Sequence, residues 1–311
     1  MKDLIGVDIG GTKCLVARLA GDGTWQVGEP IPTGAPEATL AALMAGIESL
    51  GVDNEPAFGV ACGGPLDAEA GVIQSPPNLP GWDDVRVTEL LTARFGGQAF
   101  LMNDADAAAL AEWRFGAGRG TRNMLFLTFG TGLGAGLILD GRLYTGANGN
   151  AGEIGHVRLT DDGPVGHGKA GSAEGWCSGG GLAGRIADLM RGAELPAAWS
   201  HTDARSVVEA ARAGDATARA LLRNMGYMLG RTLAILVDVL NPETIVIGSL
   251  YVRAGEWLEA AMRESLAAEA LPGNAAACRV VPAALGEALP QRQAIAVAAY
   301  RMGILDAIRK G

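Results

Sequence analysis

Two short segments of the sequence combine glycine and threonine in a way that suits phosphate binding. The first, residues 4–13, is an apolar run that contains Asp8 and ends in Ile-Gly-Gly-Thr-Lys, and the second ends in Gly-Thr-Gly at residues 130–132. Backbone N–H groups at such turns bind anions, and a threonine hydroxyl adds a donor. Because Mg²⁺ prefers carboxylate oxygens, Asp8 is a candidate magnesium ligand. An ordinary hairpin with a glycine turn explains the first segment equally well.

Several polar side chains further along the chain suit the binding of a sugar, whose hydroxyls each need a polar partner. Asp104 precedes an alanine-rich helical segment, and a helix N-terminus favours its ionised form. A carboxylate there can accept the proton of an attacking hydroxyl, although Asp104 also suits a helix N-cap. The candidate sugar-binding side chains are Asn78, Asn103, Asp104, Glu153, His156 and Glu174.

The segments that follow the glycine turns distinguish them from other phosphate motifs. Strand-like runs follow at 14–20 and 133–139, so both segments are predicted to be β-hairpins. P-loops and dinucleotide turns instead lead into a helix. We therefore reject the Gly-x-Gly-x-x-Ala match at 130–135, and also a partial P-loop at 163–169, where Ala170 replaces the required Ser or Thr.

Strand-like and helix-like patterns alternate along the first third of the chain, which is typical of an α/β fold. Predicted helices cover 36–50, 105–115, 216–240, 255–270 and 290–308, the last followed by Gly311, and predicted strands include 57–61, 100–102 and 244–247. The region 146–181 is predicted to be mostly loop. Because strand, glycine-threonine turn and strand occur twice, the sequence also predicts two similar lobes.

Composition excludes several classes of protein. Hydrophobic residues make up 49% of the 311 residues, so a large core is expected. A net charge of −9 without a Lys/Arg cluster argues against binding to nucleic acid or an anionic membrane. We find neither a signal-peptide pattern nor an apolar run of membrane-spanning length. Four widely spaced cysteines are typical of a reducing cytoplasm.

Taken together, the motifs resemble those of the ROK family (repressor, open reading frame, kinase) of bacterial sugar kinases. The matching segments, in family order, are 8–13, 63–65, 77–82, 103–104, 128–136, 151–156, Glu174 and 241–248. The resemblance implies an α/β, actin/hexokinase-like fold, in which two ribonuclease-H-like lobes surround an ATP–sugar cleft. The expected small lobe covers 1–117 and 290–311, and the large lobe covers 118–289.

The resemblance also implies a function and roles for individual residues. It implies ATP-dependent phosphorylation of a hexose, foremost the 6-OH of glucose, with Asp104 as general base and Asp8 holding Mg²⁺ through water. The implied sugar contacts are Gly64, Asn78, Asn103, Glu153, His156 and Glu174. The implied ATP contacts are Gly10, Gly11, Thr12, Lys13, Gly130, Thr131 and Gly132, with Gly248 near the adenosine. By family analogy we expect a homodimer.

Two alternatives stay open. The acceptor is another hexose, such as fructose, mannose, allose or an N-acetylated hexosamine, or the chain is a noncatalytic sugar-responsive regulator of the same family. Repressors of the family carry a helix-turn-helix before the first phosphate motif, which here begins within the first ten residues. Retention of Asp104, Glu153, His156 and Glu174 favours a kinase.

The sequence departs from the family pattern at two places. The family zinc loop supplies three cysteines beside the histidine that corresponds to His156, and here Val165, His167 and Ser172 stand at those positions. Structural zinc requires four N or S ligands, and Cys177 is out of register, so we expect no structural zinc. The second departure is Ser249-Leu250 after Gly248, where the family has further glycines.

Overall fold

The computed structural model describes residues 2–52, 55–192, 194–196 and 199–308. The chain forms two compact units, which are described separately. The first unit combines residues 1–120 with 284–311, and the second unit is the continuous segment 121–283. The lobes expected from the family resemblance, 1–117 with 290–311 and 118–289, are defined by their roles in substrate binding, and this division stays a prediction.

The first unit is built on a twisted sheet that begins with the predicted hairpin. Its elements are β1 (Leu4–Ile9), β2 (Lys13–Leu19), β3 (Trp25–Val27), β4 (Ile31–Pro32), α1 (Pro36–Ser49), β5 (Ala57–Cys62), β6 (Leu66–Asp67), β7 (Val72–Ile73), α2 (Val87–Phe95), β8 (Gln98–Asn103) and α3 (Asp104–Phe115). The strand order is β3-β2-β1-β5-β8, with β4 beside β2. Strands β1 and β2 are antiparallel, and β5 and β8 run parallel to β1.

The second unit repeats this topology with its own hairpin. Its elements are β9 (Met124–Phe129), β10 (Leu133–Leu139), β11 (Arg142–Leu143), a 3-10 turn (Ile154–His156), β12 (Val165–Gly166), β13 (Lys169–Ala170), α4 (Ala173–Cys177), α5 (Gly179–Arg191), α6 (Ala204–Arg212), α7 (Ala216–Leu240), β14 (Thr244–Ile247), α8 (Leu250–Glu269), α9 (Pro272–Ala277) and β15 (Arg279–Pro282). The strand order is β11-β10-β9-β14-β15. A hairpin strand pair flanked by parallel strands thus occurs in both units, which confirms the predicted repeat of architecture.

The chain returns to the first unit through helix α10 (Leu289–Arg301), which packs on β1 and β5. Gly6 and Gly59 are neighbours on these strands, and a Cβ atom at Gly59 would lie 2.1 Å from the carbonyl oxygen of Ala294. Side chains alternate between the faces of a strand. Ile5 and Val60 therefore face away from α10, into a core that includes Leu43 of α1 and Leu91 of α2.

Three predicted element boundaries are wrong. Helix α8 starts at Leu250 and runs through Gly255, because Ser249 adopts a positive φ of 47° and turns the chain into the helix. Helix α10 ends at Arg301, since Gly303 is left-handed with φ 69°, and only a 3-10 turn at Leu305–Ala307 follows. Gly311, predicted to follow the helix, lies outside the described residues. The region 146–181 is mostly loop as predicted, but the helical part begins earlier than its end, with α4 at Ala173 and α5 at Gly179.

The other hydrophobic elements agree with the prediction. The predicted helices at 36–50, 105–115 and 216–240 and the strands at 57–61, 100–102 and 244–247 are present within one or a few residues. Asn241 ends α7 in the left-handed conformation, with φ 44°, as the helix-stop signal Asn-Pro predicts. Across the described residues, no helix has both the length and the apolar character needed to cross a bilayer.

Candidate functional site

The turn between β1 and β2 presents donors at the surface of the first unit. Gly11, Thr12 and Lys13 are exposed, and Gly10 N–H donates to the Lys13 carbonyl at 3.2 Å. A Cβ atom at Gly11 would lie 2.8 Å from the carbonyl oxygen of Asn78. Glycine therefore lets the loop that carries Asn78 approach the turn, and the exposed N–H groups and hydroxyl suit an anionic ligand.

Asp8 lies one strand position inside the turn, where it is partly buried. Burial raises the pKa of its carboxyl group to about 7; a hydrogen bond from Gln293 opposes this shift, the nearby charge of Asp104 adds to it, and Lys13 lowers it. Gln293 is on α10 and is itself buried. The carboxylate is thus oriented by an amide donor and lies close to the exposed turn, a position from which it can bind a cation.

Asn103 and Asp104 join strand β8 to helix α3. The side chain of Asn103 accepts the N–H of Ala105 at 2.9 Å and caps the helix. Asp104 is therefore the first helical residue, and the interpretation of Asp104 as the N-cap is wrong. Its carboxylate is exposed at the helix N-terminus, where the aligned peptide dipoles stabilise the ionised form.

The predicted sugar-binding residues of the first unit surround the glycines after β5. A Cβ atom at Gly63 would lie 3.7 Å from both Asn78 Nδ2 and Asp104 Oδ2, and one at Gly64 would lie 3.5 Å from Asn103 Nδ2. The structure therefore brings Gly64, Asn78, Asn103 and Asp104 together. The buried Trp82 anchors the loop that carries Asn78, since its Nε1 donates to the Gly34 carbonyl at 3.0 Å.

The turn between β9 and β10 in the second unit is held by the start of helix α5. Gly179 N–H donates to the Gly130 carbonyl at 2.7 Å, and Gly180 N–H donates to the Thr131 carbonyl at 2.9 Å. Within the turn, Gly130 N–H donates to the Gly132 carbonyl at 3.1 Å. Because the carbonyls point to the helix and Thr131 is exposed, the threonine side chain is accessible to a ligand.

Glu174, on the short helix α4, also contacts this turn. Its Oε2 accepts the N–H of Leu133 at 3.1 Å, and a Cβ atom at Gly132 would lie 2.9 Å from the same oxygen. Ser172 caps α4 by accepting the N–H of Gly175 at 3.1 Å. Glu174 is partly exposed, so its carboxylate is available to a ligand while one oxygen holds the end of the turn.

Glu153 precedes the 3-10 turn at Ile154–His156 and His156 is its last residue, and both residues are exposed. The His156 ring meets the His167 ring edge to face, with centroids 6.0 Å apart and planes at 87°. Lys169 Nζ donates to the His156 carbonyl at 2.7 Å. The 3-10 turn also packs on α4, since a Cβ atom at Gly155 would lie 3.2 Å from Glu174 Cβ.

Gly248 is buried at the end of β14, where its N–H donates to the Leu127 carbonyl at 3.0 Å. A Cβ atom at Gly248 would lie 3.0 Å from Phe126 Cζ. The exposed Ser249 follows, and its Oγ would lie 3.7 Å from a Cβ atom at Gly130. Ser249 therefore brings the strand end close to the second glycine turn.

The residues aligned with the family's zinc cysteines serve other roles. His167 occupies the turn between β12 and β13 with φ 47°, and Ser172 is the buried cap of α4. The Sγ of Cys177 lies 3.8 Å from Thr232 Oγ1 inside the core. In the part of the chain that the structure describes, His, Cys, Asp and Glu form no group of three or more able to hold a metal ion.

Sequence reasoning missed Gln293 and Lys169. Gln293 is 285 residues from Asp8 in sequence, and a lone glutamine in an alanine-rich helix carries no signal of its role. In the sequence, Lys169 belongs only to the partial P-loop match, whereas in the structure its ammonium group reaches the His156 carbonyl. Both contacts depend on tertiary packing, so the sequence pattern alone does not reveal them.

Comparison with known proteins places this chain in a family. The ROK family model matches residues 4–300. The chain is 32% identical over 299 residues to the glucokinase of Thermotoga maritima, covering 91% of this chain and 93% of that protein.

Solved structures show the same relationship. The crystal structure of a ROK hexokinase from Thermus thermophilus has 31% identity and a TM-score of 0.78, covering 97% of this chain and 99% of that one. A ROK glucokinase from Streptomyces griseus, in complex with glucose and AMPPNP, has 28% identity and a TM-score of 0.74, with 97% and 100% coverage. The actin/hexokinase-like fold class is thus confirmed, and the chain belongs to the ROK family.

Proposed function

We propose that this protein is an ATP-dependent sugar kinase that phosphorylates a hexose, foremost glucose at its 6-OH. Relatives named glucokinase, and a related structure that holds glucose and an ATP analogue, support this activity. The observation that carries the proposal is Asp104. Its exposed carboxylate lies at a helix N-terminus beside Asn78 and the glycines after β5.

Asp104 is the proposed general base. Its carboxylate accepts the proton of the sugar hydroxyl while the hydroxyl oxygen attacks the γ-phosphorus of ATP. The bond between that phosphorus and the oxygen bridging to the β-phosphate breaks, and ADP leaves with the electron pair. Asn103 supports this role because its own side chain caps α3, which fixes the start of the helix that carries Asp104.

The two glycine turns are the proposed contacts for the phosphates of ATP. Their candidate residues are Gly10, Gly11, Thr12, Lys13, Gly130, Thr131 and Gly132, and Gly248 is the candidate contact near the adenosine. Asp8 would hold Mg²⁺ through water, and the ion would neutralise the phosphate charge during transfer. The fit rests on a partly buried carboxylate oriented by Gln293 and adjoining an exposed donor turn.

The proposed sugar contacts are amide, carboxylate and imidazole side chains together with one glycine. They are Gly64, Asn78, Asn103, Glu153, His156 and Glu174, in addition to the base. Amides, carboxylates and an imidazole supply both donors and acceptors, as the hydroxyls of a hexose require. The division into functional lobes and assembly as a homodimer are expectations from the family resemblance, and sedimentation analysis tests the dimer. A cytoplasmic location is the expectation from the four widely spaced cysteines.

Replacing Asp104 by Asn tests the assignment of the base. Asp104→Asn keeps the shape of the side chain but loses the proton acceptor, so kcat should fall by about 10²- to 10⁴-fold, whereas the sugar Kd should change little. Asp22→Asn is a matched control, because it removes the same charge from an exposed turn of the same unit. Turnover near the wild-type value in Asp104→Asn would refute the base.

A panel of hexoses assayed by ADP release distinguishes the open alternatives. Glucose should give the highest kcat/KM. A higher value with fructose, mannose, allose or an N-acetylated hexosamine would reassign the acceptor. Sugar binding by calorimetry without ADP release from any hexose would instead indicate the noncatalytic regulator.

A further inference from the structure

The start of helix α5 and the neighbouring helix α4 contact both a proposed sugar ligand and the proposed phosphate turn. Glu174 Oε2 accepts the N–H of Leu133, directly after the turn. Two residues of α5 donate to the turn itself, Gly179 to the Gly130 carbonyl and Gly180 to the Thr131 carbonyl. The turn and the first residue of β10 are therefore hydrogen-bonded to one short segment, residues 174–180.

The two helices of this segment are capped and packed directly against each other. Ser172 caps α4 and Ser178 caps α5, and both serines are fully buried. A Cβ atom at Gly181 would lie 2.2 Å from the carbonyl oxygen of Gly175, so the two helices meet backbone to backbone. Because no side chain separates them, a displacement of α4 is transmitted to the first residues of α5.

We propose that residues 174–180 couple sugar binding to nucleotide binding, and that Glu174 is a positioning residue for the phosphate turn as well as a sugar ligand. The inference rests on the proposed function, because it takes Glu174 as a sugar contact and the turn as a phosphate contact. It adds that the two substrates bind cooperatively through contacts inside the second unit.

The physical basis is the division of one carboxylate between two partners. A carboxylate has two oxygens and about four acceptor positions, so Glu174 can accept a sugar hydroxyl while Oε2 keeps the N–H of Leu133. A bound sugar restricts the rotamers of Glu174, and through this bond it restricts the turn. A nucleotide that binds next orders fewer groups itself, which gives positive cooperativity.

Linkage makes the inference measurable. If the nucleotide raises the sugar affinity by a given factor, the sugar raises the nucleotide affinity by the same factor. We expect a factor of about 5 or more in the wild type. It is measured by calorimetry as the ratio of the Kd of the hexose chosen by the panel without and with saturating AMPPNP, and it is checked by titrating AMPPNP with and without the hexose.

Two glycines of α5 supply a matched pair of variants. A Cβ atom at Gly180 would lie 2.8 Å from the Thr131 carbonyl oxygen, whereas one at Gly184 meets nothing within 4 Å. Gly180→Ala should push α5 away from the turn and lower the coupling factor to below about 2. The Kd of the sugar measured without nucleotide should stay within about twofold of the wild-type value. Gly184→Ala makes the same change of residue on the same helix and should keep the wild-type factor.

A second variant covers the case in which Gly180→Ala does not fold. Gly179→Ala places its Cβ atom 3.0 Å from the Gly130 carbonyl oxygen, a milder displacement that should lower the factor partially. A coupling factor of one in the wild-type protein overturns the proposal. A coupling factor equal to that of the wild type, in whichever variant folds, also overturns it. The same preparations are assayed for ADP release: turnover with a factor of one overturns the coupling alone, whereas no turnover on any hexose overturns the proposed kinase.

Discussion

The carboxyl group of Asp8 shows how burial changes the chemistry of a single residue. In the unfolded chain its pKa is near 3.8, and burial in the folded first unit raises it to about 7. Gln293 donates to this carboxyl group, but one amide donor does not offset the loss of water around the charge. The ionised form is therefore costly in the folded protein unless a cation binds near it.

The stability of the protein should reflect this shift. Between about pH 4 and pH 7 the folded state binds the Asp8 proton and the unfolded state does not, so this group's contribution to stability falls as the pH rises through that window. Asp8→Asn removes the titrating group. Urea unfolding in magnesium-free buffer at pH 5 and pH 7.5 should show Asp8→Asn gaining stability relative to the wild type at the higher pH; an equal difference at both values contradicts the shifted pKa.

Either of two neighbouring residues, Asn103 or Asp104, could cap helix α3 as far as the sequence shows. The dipeptide Asn103-Asp104 predicts a helix start, and both side chains suit a cap. The structure selects Asn103 as the cap, because the backbone of Asn103 is extended and that of Asp104 is already helical. A shift of one residue separates a capping role from a proposed catalytic one.

At the scale of elements, the loop that follows the 3-10 turn is held by polar contacts. Lys169 donates to the His156 carbonyl, and the rings of His156 and His167 meet edge to face. Arg158 donates to the carbonyls of Asp161 and Ala170 at 3.0 and 2.9 Å. These contacts connect the hairpin of β12 and β13 to His156 without thiolate ligands.

We therefore predict that the protein does not depend on zinc. Purified protein should contain much less than one zinc ion per chain, and a chelator should leave Tm unchanged, because removal of a structural metal otherwise unfolds the site. Elemental analysis and thermal unfolding with and without EDTA measure both. One tightly bound zinc per chain would refute the prediction.

The contact between the first sheet and helix α10 depends on glycine. A Cβ atom at Gly59 would lie 2.1 Å from the Ala294 carbonyl oxygen and 2.5 Å from the Ala298 nitrogen. Gly59→Ala must separate strand β5 from α10, which should destabilise the protein by about 2 kcal/mol or more.

Gly273→Ala is the control for this substitution, because a Cβ atom at Gly273 meets nothing within 4 Å. It should change the free energy of unfolding by less than about 0.5 kcal/mol. Urea unfolding of both variants gives the comparison. Equal stability of Gly59→Ala and the control would show that the helix is less closely packed on the sheet.

At the scale of the whole molecule, the first unit needs two separate parts of the chain, 1–120 and 284–311. Glu112 is fully buried and joins them: its Oε2 accepts the N–H of Ala117 at 2.7 Å, and its Oε1 accepts the N–H groups of Ala284 and Leu285 at 3.0 and 2.9 Å. The two chain segments thus meet at one carboxylate.

A fragment of residues 1–120 should therefore fail to fold cooperatively, because it leaves the α10 face of β1 and β5 exposed. Joining 1–120 to 284–311 through a short glycine-serine linker should restore folding, since the ends meet at Glu112. Near-ultraviolet circular dichroism and urea unfolding measure both. Cooperative unfolding of 1–120 alone would contradict the need for α10.

The sequence by itself determined the local structure and the family. Hairpins were predictable at both glycine-threonine turns because turn chemistry and strand alternation act over a few residues, and the order of the motifs identified the ROK family. The sequence also identified the polar residues that lie near the glycines after β5 and near Glu174. It did not predict which of these residues contact one another.

Only the tertiary structure decided which groups meet: Gln293 with Asp8, Glu174 with Leu133, and Gly59 with α10. These pairs are far apart in the chain, so no local pattern specifies them. Their energies depend on burial and close packing, which exist only once the sheets and helices have assembled.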